Sequence, residues 1–159
     1  MSKYLITAVC CPLFLLMSCK DNPSSKDTKS QTEEMNMENT LAVLKGIETG
    51  DLSIMNNFND EDDIDHVNGT YEIKGLENVK KILADIHNHV SNLKMHLIAH
   101  ATDGDYEFSI IKMTGTTKDT MMGMPANTLI NRTSVGILRK VNGKGKEHWR
   151  YEIQISPSK

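Results

Sequence analysis

Residues 93–117 read LKMHLIAHATDGDYEFSIIKMTGTT. Strand formers fill 93–101 and 105–115, and Thr102-Asp103-Gly104-Asp105 between them is a turn sequence. Two more strands follow, 128–140 and 147–155, after a loop at 117–126 and around Asn142-Gly143-Lys144-Gly145. Upstream the period lengthens. Leu76, Val79, Ile82, Leu83, Ile86 and Val90 mark an amphipathic helix from about 75 to 90. Before it, Ile64–Val67 and Thr70–Ile73 flank Asn68-Gly69, a hairpin signal, and Asp60–Asp63 reads as a break. Met37, Leu41, Leu44 and Ile47 predict a helix over 35–49, closed by Gly50, and Asp51 can cap a short helix through Phe58. Helices and a mostly antiparallel sheet are segregated, so the expected class is α+β.

The chain has 159 residues, net charge −3 and 25% charged residues, with no basic excess that points to nucleic acid. Its 3 cysteines, Cys10, Cys11 and Cys19, all precede the strands and helices, which excludes thiol catalysis, disulfides and cysteine-ligated zinc in the folded part. Lys3 and the apolar run 4–17 form a secretory signal too short to span a bilayer, which takes about 20 residues. Leu16-Met17-Ser18-Cys19 at its end resembles the lipobox of bacterial lipoproteins. That resemblance implies a signal peptide over 1–18, acylation of Cys19 and a membrane anchor at the cell envelope, outer-membrane and periplasmic or surface-facing. Residues 19–34 are polar and read as a flexible tether, and 35–159 as one folded domain.

Three patterns in order carry a second resemblance. They are Asp62-Asp63-Ile64-Asp65-His66-Val67-Asn68-Gly69; Gly115-Thr116-Thr117 followed by Met122-Gly123-Met124-Pro125; and Glu147-His148-Trp149 with Gln154. Together they resemble the SnoaL-like branch of the nuclear transport factor 2 superfamily over roughly 38–155. The resemblance implies a curved sheet rolled against three helices into a cone with an interior pocket. Fold alone does not decide activity, because such folds host enzymes and pure binding modules.

On strand 147–155, Glu147, Trp149, Tyr151, Ile153 and Ile155 share one face, and His148, Arg150, Glu152 and Gln154 the other. The first face is the more apolar and is expected to line the pocket. The second suits the outer surface, where family members dimerise. The acidic and histidine positions of the family's enzymes hold Ile153 and Thr117 here, which argues against inherited catalysis. His66 is the remaining candidate acid or base, with Asp63, Asp65 and Tyr71 nearby in sequence. The expected pocket is therefore His66, Thr117, Met122, Met124, Glu147, Trp149 and Tyr151, the methionines forming an adaptable apolar rim.

No metal or cofactor is expected. His87 and His89 diverge on a helix, and His96 and His100 stand far apart on a strand. The acidic run 60–65 lacks the spacing of a calcium loop. The leading expectation is a lipid-anchored pocket for a small, largely apolar molecule, without catalysis. The alternatives are an isomerase, cyclase or hydro-lyase built on His66, and an envelope interaction module with a closed pocket and an apolar patch near Met121–Met124.

Overall fold

The structure, a computed structural model, describes residues 24–121 and 123–154. The signal, the lipobox, Cys19 and Met122 lie outside the described residues. Helix α1 covers Ser24–Thr49, a single 3-10 turn covers Leu52–Ile54, and α2 covers Met55–Phe58. Strands β1 (Asn59–Val67) and β2 (Tyr71–Lys74) precede α3 (Leu76–His89). Strands β3 (Val90–Asp103), β4 (Tyr106–Thr117), β5 (Leu129–Val141) and β6 (Lys144–Ile153) follow.

The six strands form one sheet in the order β2-β1-β6-β5-β4-β3. Every neighbouring pair is antiparallel except β1 with β6, which run parallel. The tight turns are set by residues that tolerate a left-handed backbone: Asn68 and Gly69 at φ 51° and 64°, Asn142 and Gly143 at 53° and 79°. The curved sheet wraps the three helices, giving the expected α+β cone.

The core lies between α3 and the sheet. Leu76, Val79, Leu83 and Ile86 of α3 pack with Leu44 and Ile47 of α1, Leu52, Met55, and the sheet residues Val67, Ile73, Val90, Leu93 and Ile130. These α3 positions recur at helical spacing, so one stripe of the helix is removed from water.

Two expectations are corrected here. First, α1 begins at Ser24 rather than near Met35, so helix occupies much of the segment read as a tether. Its buried face is only partly the expected one: Leu44 and Ile47 are buried, but Met37 and Leu41 are exposed and Asn36 is buried in the same helix. The reason is polar pairing, since Lys140 donates to Asn36 Oδ1 (2.8 Å) and Thr40 Oγ1 donates to Glu107 Oε2 (3.4 Å). Second, the acidic run does not break the chain but forms the first half of β1. Lys146 stands 3.0 Å from Asp60, and Asn59 Nδ2 donates to Asp63 Oδ2 (3.0 Å), so the carboxylates find partners inside the sheet.

Leu76 is 3% exposed, at the start of α3. Leu76→Ala is expected to destabilise the fold by about 2–5 kcal/mol. Urea unfolding measures it, and an unchanged midpoint contradicts this core.

Candidate functional site

Because β1 and β6 run parallel with Asp65 beside His148 and Val67 beside Arg150, one set of alternate residues from each strand faces into the cone. That set is Asp63, Asp65 and Val67 from β1, and His148, Arg150 and Glu152 from β6. They line an open cavity of about 350 Å³, at the small end of the roughly 300–1,000 Å³ usual for ligand sites. Its other wall is apolar, with Leu44, Ile47, Ile82, Leu83, Met95 and Ile111 contributing. Asn68, Tyr71 and Glu152 lie at its exposed margin.

The polar wall is built around Asp65, which is 2% exposed. Its Oδ1 lies 3.4 Å from His148 Nδ1, and its Oδ2 accepts from Arg150 Nη2 at 2.9 Å. Burial pushes this carboxyl up, but hydrogen bonding to His148 and the charges of His148 and Arg150 outweigh it, and the group is held below its ordinary value. An ionised carboxylate only accepts, so this contact favours the tautomer with hydrogen on Nδ1 of His148. Nε2 rests against Gly136: a Cβ there would stand 2.9 Å from it and 2.9 Å from Ser109 Oγ. The missing side chain at Gly136 is what lets the imidazole and the Ser109 hydroxyl reach the same part of the cavity.

Asp63, two residues earlier and also 2% exposed, behaves oppositely. Burial raises its carboxyl above the ordinary value, outweighing the charge of His148 and the Asn59 hydrogen bond, with Asp65 adding to the rise. Its Oδ1 has no hydrogen-bond partner among the described residues. Two neighbouring carboxyls are thus driven apart, one toward the ion and one toward the acid, the arrangement from which acid and base roles are made.

The residues singled out from sequence lie elsewhere. His66 pairs with Trp149 across the β1–β6 ladder on the outer face of the sheet, the rings stacked at 5.2 Å and 7°. Its Nδ1 is 3.4 Å from Glu72 and its Nε2 3.5 Å from Glu147, so carboxylates hold it there. Glu147 is itself gripped by Arg139 at 2.8 Å and held below its usual range, chiefly by that hydrogen bond. Tyr151 is 41% exposed on the same face. None of His66, Glu147, Trp149 and Tyr151 lines the cavity. The alternation on β6 is as expected, but the pocket takes the charged face, and the residues expected on an outer dimer surface are inside.

Thr117 also stands apart from the cavity. It is 1% exposed, donates from Oγ1 to Pro125 O (2.6 Å) and accepts from Thr128 N (2.8 Å), so it pins the loop after β4. Met121 and Met124 pair through their backbones and pack against the core, and Met124 Sδ accepts from Arg132 Nη2 (3.5 Å). They form no free apolar patch. Among the described residues no group of three or more His, Cys, Asp or Glu is placed to hold a metal ion.

The residues missed were His148, Arg150 and Gly136. One signal was available: Asp-x-Asp on β1 and His-x-Arg on β6 are charge-complementary at period two, as expected of residues that share one face of paired strands.

The SnoaL-like polyketide cyclase profile matches residues 38–155. The chain belongs to this family. No curated protein matches it. Among solved structures, a protein assigned as a SnoaL-like polyketide cyclase from a Jannaschia species superposes with a TM-score of 0.67 at 15% identity, over 76% of this chain and 86% of that one. TsrD from Streptomyces laurentii gives 0.64 at 17% identity, over 79% and 88%. A SnoaL-like polyketide cyclase from Agrobacterium tumefaciens gives 0.60 at 16% identity, over 73% and 89%. At these identities the likeness is one of fold.

Ionising Asp63 opposes folding. A carboxyl whose pKa is raised by folding destabilises the native state fully above its folded pKa, and not at all below the unfolded value of about 4. Asp63→Asn is therefore expected to raise the melting temperature at neutral pH, by an amount that shrinks toward zero as pH falls to about 4. Melting curves of both proteins across that range check it, and no gain at neutral pH contradicts it.

Proposed function

We propose that the chain takes a small, largely apolar molecule into the cone and moves a proton on it with His148, as a cofactor-independent isomerase or cyclase. One observation supports this above the others: a buried, ionised Asp65 lies 3.4 Å from Nδ1 of His148, and both residues line a cavity whose opposite wall is apolar. A carboxylate so placed fixes the tautomer and stabilises the imidazolium that forms when Nε2 takes a proton. The natural substrate class is a carbonyl compound with an acidic neighbouring C–H. His148 removes that proton, and Arg150 supplies a hydrogen-bond donor toward the oxygen that becomes negative. Return of the proton to a different carbon isomerises the substrate; attack of the carbanion on a second carbonyl closes a ring.

The reading built on His66 falls with the position of that ring on the outer face. The interaction-module reading called for a closed interior, and the cavity is open.

The test uses β-tetralone, an apolar ketone with exchangeable α-hydrogens, in deuterated buffer. Deuterium uptake followed by mass spectrometry is expected to be accelerated by the protein. His148→Asn should reduce that acceleration by about 100-fold or more, in line with the usual contribution of a general base, while calorimetric affinity for the ketone changes little. Binding without acceleration leaves a pure ligand-binding protein and overturns the catalytic reading.

We further propose that Cys19 is lipidated and holds the domain at a bacterial envelope membrane. The support is the run 4–17 ending in Leu16-Met17-Ser18-Cys19. Cys19→Ala is expected to shift the protein from the membrane fraction to the soluble fraction. Retention in the membrane rejects the anchor.

A further inference from the structure

The polar wall of the cavity continues past His148. In the β4–β5–β6 register, Glu107 lies beside Leu138 and Leu138 beside His148, so one row crosses three strands. At about 4.8 Å between strands, Glu107 stands roughly 10 Å from His148 along that row. Glu107 is 4% exposed and is paired with the ammonium of Lys140. Its Oε2 also accepts from Thr40 Oγ1 and lies 3.7 Å from His100 Nε2. Lys140 donates a second hydrogen to Asn36 Oδ1. Glu107, Lys140 and Thr40 all line the cavity, and Leu138 lines it between the two polar ends.

Behind Glu107 the polar groups are not fully used. The His100 side chain is 3% exposed, and neither ring nitrogen has a hydrogen-bond partner among the described residues. Thr102, opposite Glu107 in the β3–β4 ladder, also has a buried hydroxyl without one. Buried polar groups are normally satisfied, and leaving them unmade is unfavourable. Neither His100 nor Thr102 lines the cavity; the polar group that faces it at this end is the Glu107–Lys140 pair, with Thr40 beside it. The proton-transfer step described for His148 uses none of these residues.

We propose that the Glu107–Lys140 pair is a second ligand subsite that takes a hydroxyl group at the far end of the same molecule. The pair is internally neutral, so it selects no net charge: a ligand carboxylate would meet Glu107 and a ligand amine would meet Lys140. It offers an acceptor in Glu107 and, in Lys140, a third N–H beyond those given to Glu107 and Asn36. A hydroxyl uses both. The ligand is then elongated and uncharged, with an apolar middle over Leu138 and an oxygen at each end. This inference rests on the reading that the cavity binds an apolar molecule, and deepens it.

The experiment is calorimetric titration of the full chain with n-octanol and with its α,ω-diol, which differ only in the second hydroxyl. In the wild type the diol is expected to bind about tenfold or more tightly than octanol, the range for a hydrogen bond to a charged group. In the double variant Glu107→Gln/Lys140→Met, which removes both charges together so that neither is left buried alone, that advantage should vanish while octanol affinity stays within about twofold. Equal affinity for the two alcohols in the wild type, or an advantage that survives in the double variant, overturns the subsite. If circular dichroism shows the double variant unfolded, Glu107→Gln alone is the variant read, with loss of the diol advantage expected and its persistence overturning the proposal. Failure of both alcohols to bind removes the apolar-pocket reading and the subsite with it, whereas octanol binding without a diol advantage removes the subsite alone.

Discussion

The parallel pairing of β1 with β6, with Asp65 set beside His148, is the constraint from which the site follows. Every other neighbouring pair in the sheet is antiparallel, consecutive in sequence and joined by a turn or a loop. This one brings together segments from opposite ends of the domain, and so fixes which side of each strand faces inward. Once Asp65 and His148 are adjacent, period-two alternation carries Asp63, Val67, Arg150 and Glu152 to the same side and sends His66, Glu147, Trp149 and Tyr151 to the other. A slip of one residue would exchange the two sets completely.

Burying this much charge against an apolar wall is tolerated because the charges are arranged to answer one another. Asp65 has Arg150 and His148; Glu107 has Lys140 and Thr40. Asp63 is the exception, and burial answers it by favouring its neutral form. The outer face uses the same device less tightly, with Arg139, Glu147, His66 and Glu72 in sequence across the strands. Charge on both faces of one sheet is why hydropathy alone could not tell inside from outside.

Local signals in the sequence were dependable where a backbone constraint stood behind them. Asn68-Gly69 and Asn142-Gly143 make the turns their left-handed preference demands, and the apolar spacing of α3 matches its buried stripe. Signals failed where a distant partner changed the meaning of a residue. Asp60–Asp63 reads as a break until Lys146 and Asn59 stand opposite it. Met37 and Leu41 read as a core face until Asn36 and Thr40 are seen to answer Lys140 and Glu107. The pocket face of β6 is hidden for the same reason: Trp149 and Tyr151 look like interior residues, and only the register with β1 shows that His148 and Arg150 are. The cone was legible in the order of elements; the occupants of its interior depended on a pairing that no local window contains.

The placement of Trp149 governs how this protein can be observed. The chain has 1 tryptophan, and it is stacked on His66 on the face of the sheet turned away from the cavity. Neither the indole nor His66 lines the cavity, so a molecule entering the cone is not expected to contact that ring directly. A second copy settling on the convex face would change the solvent around that ring directly. Intrinsic fluorescence thus reads assembly, and the chromophore that reads filling of the cavity is Tyr71, at its margin.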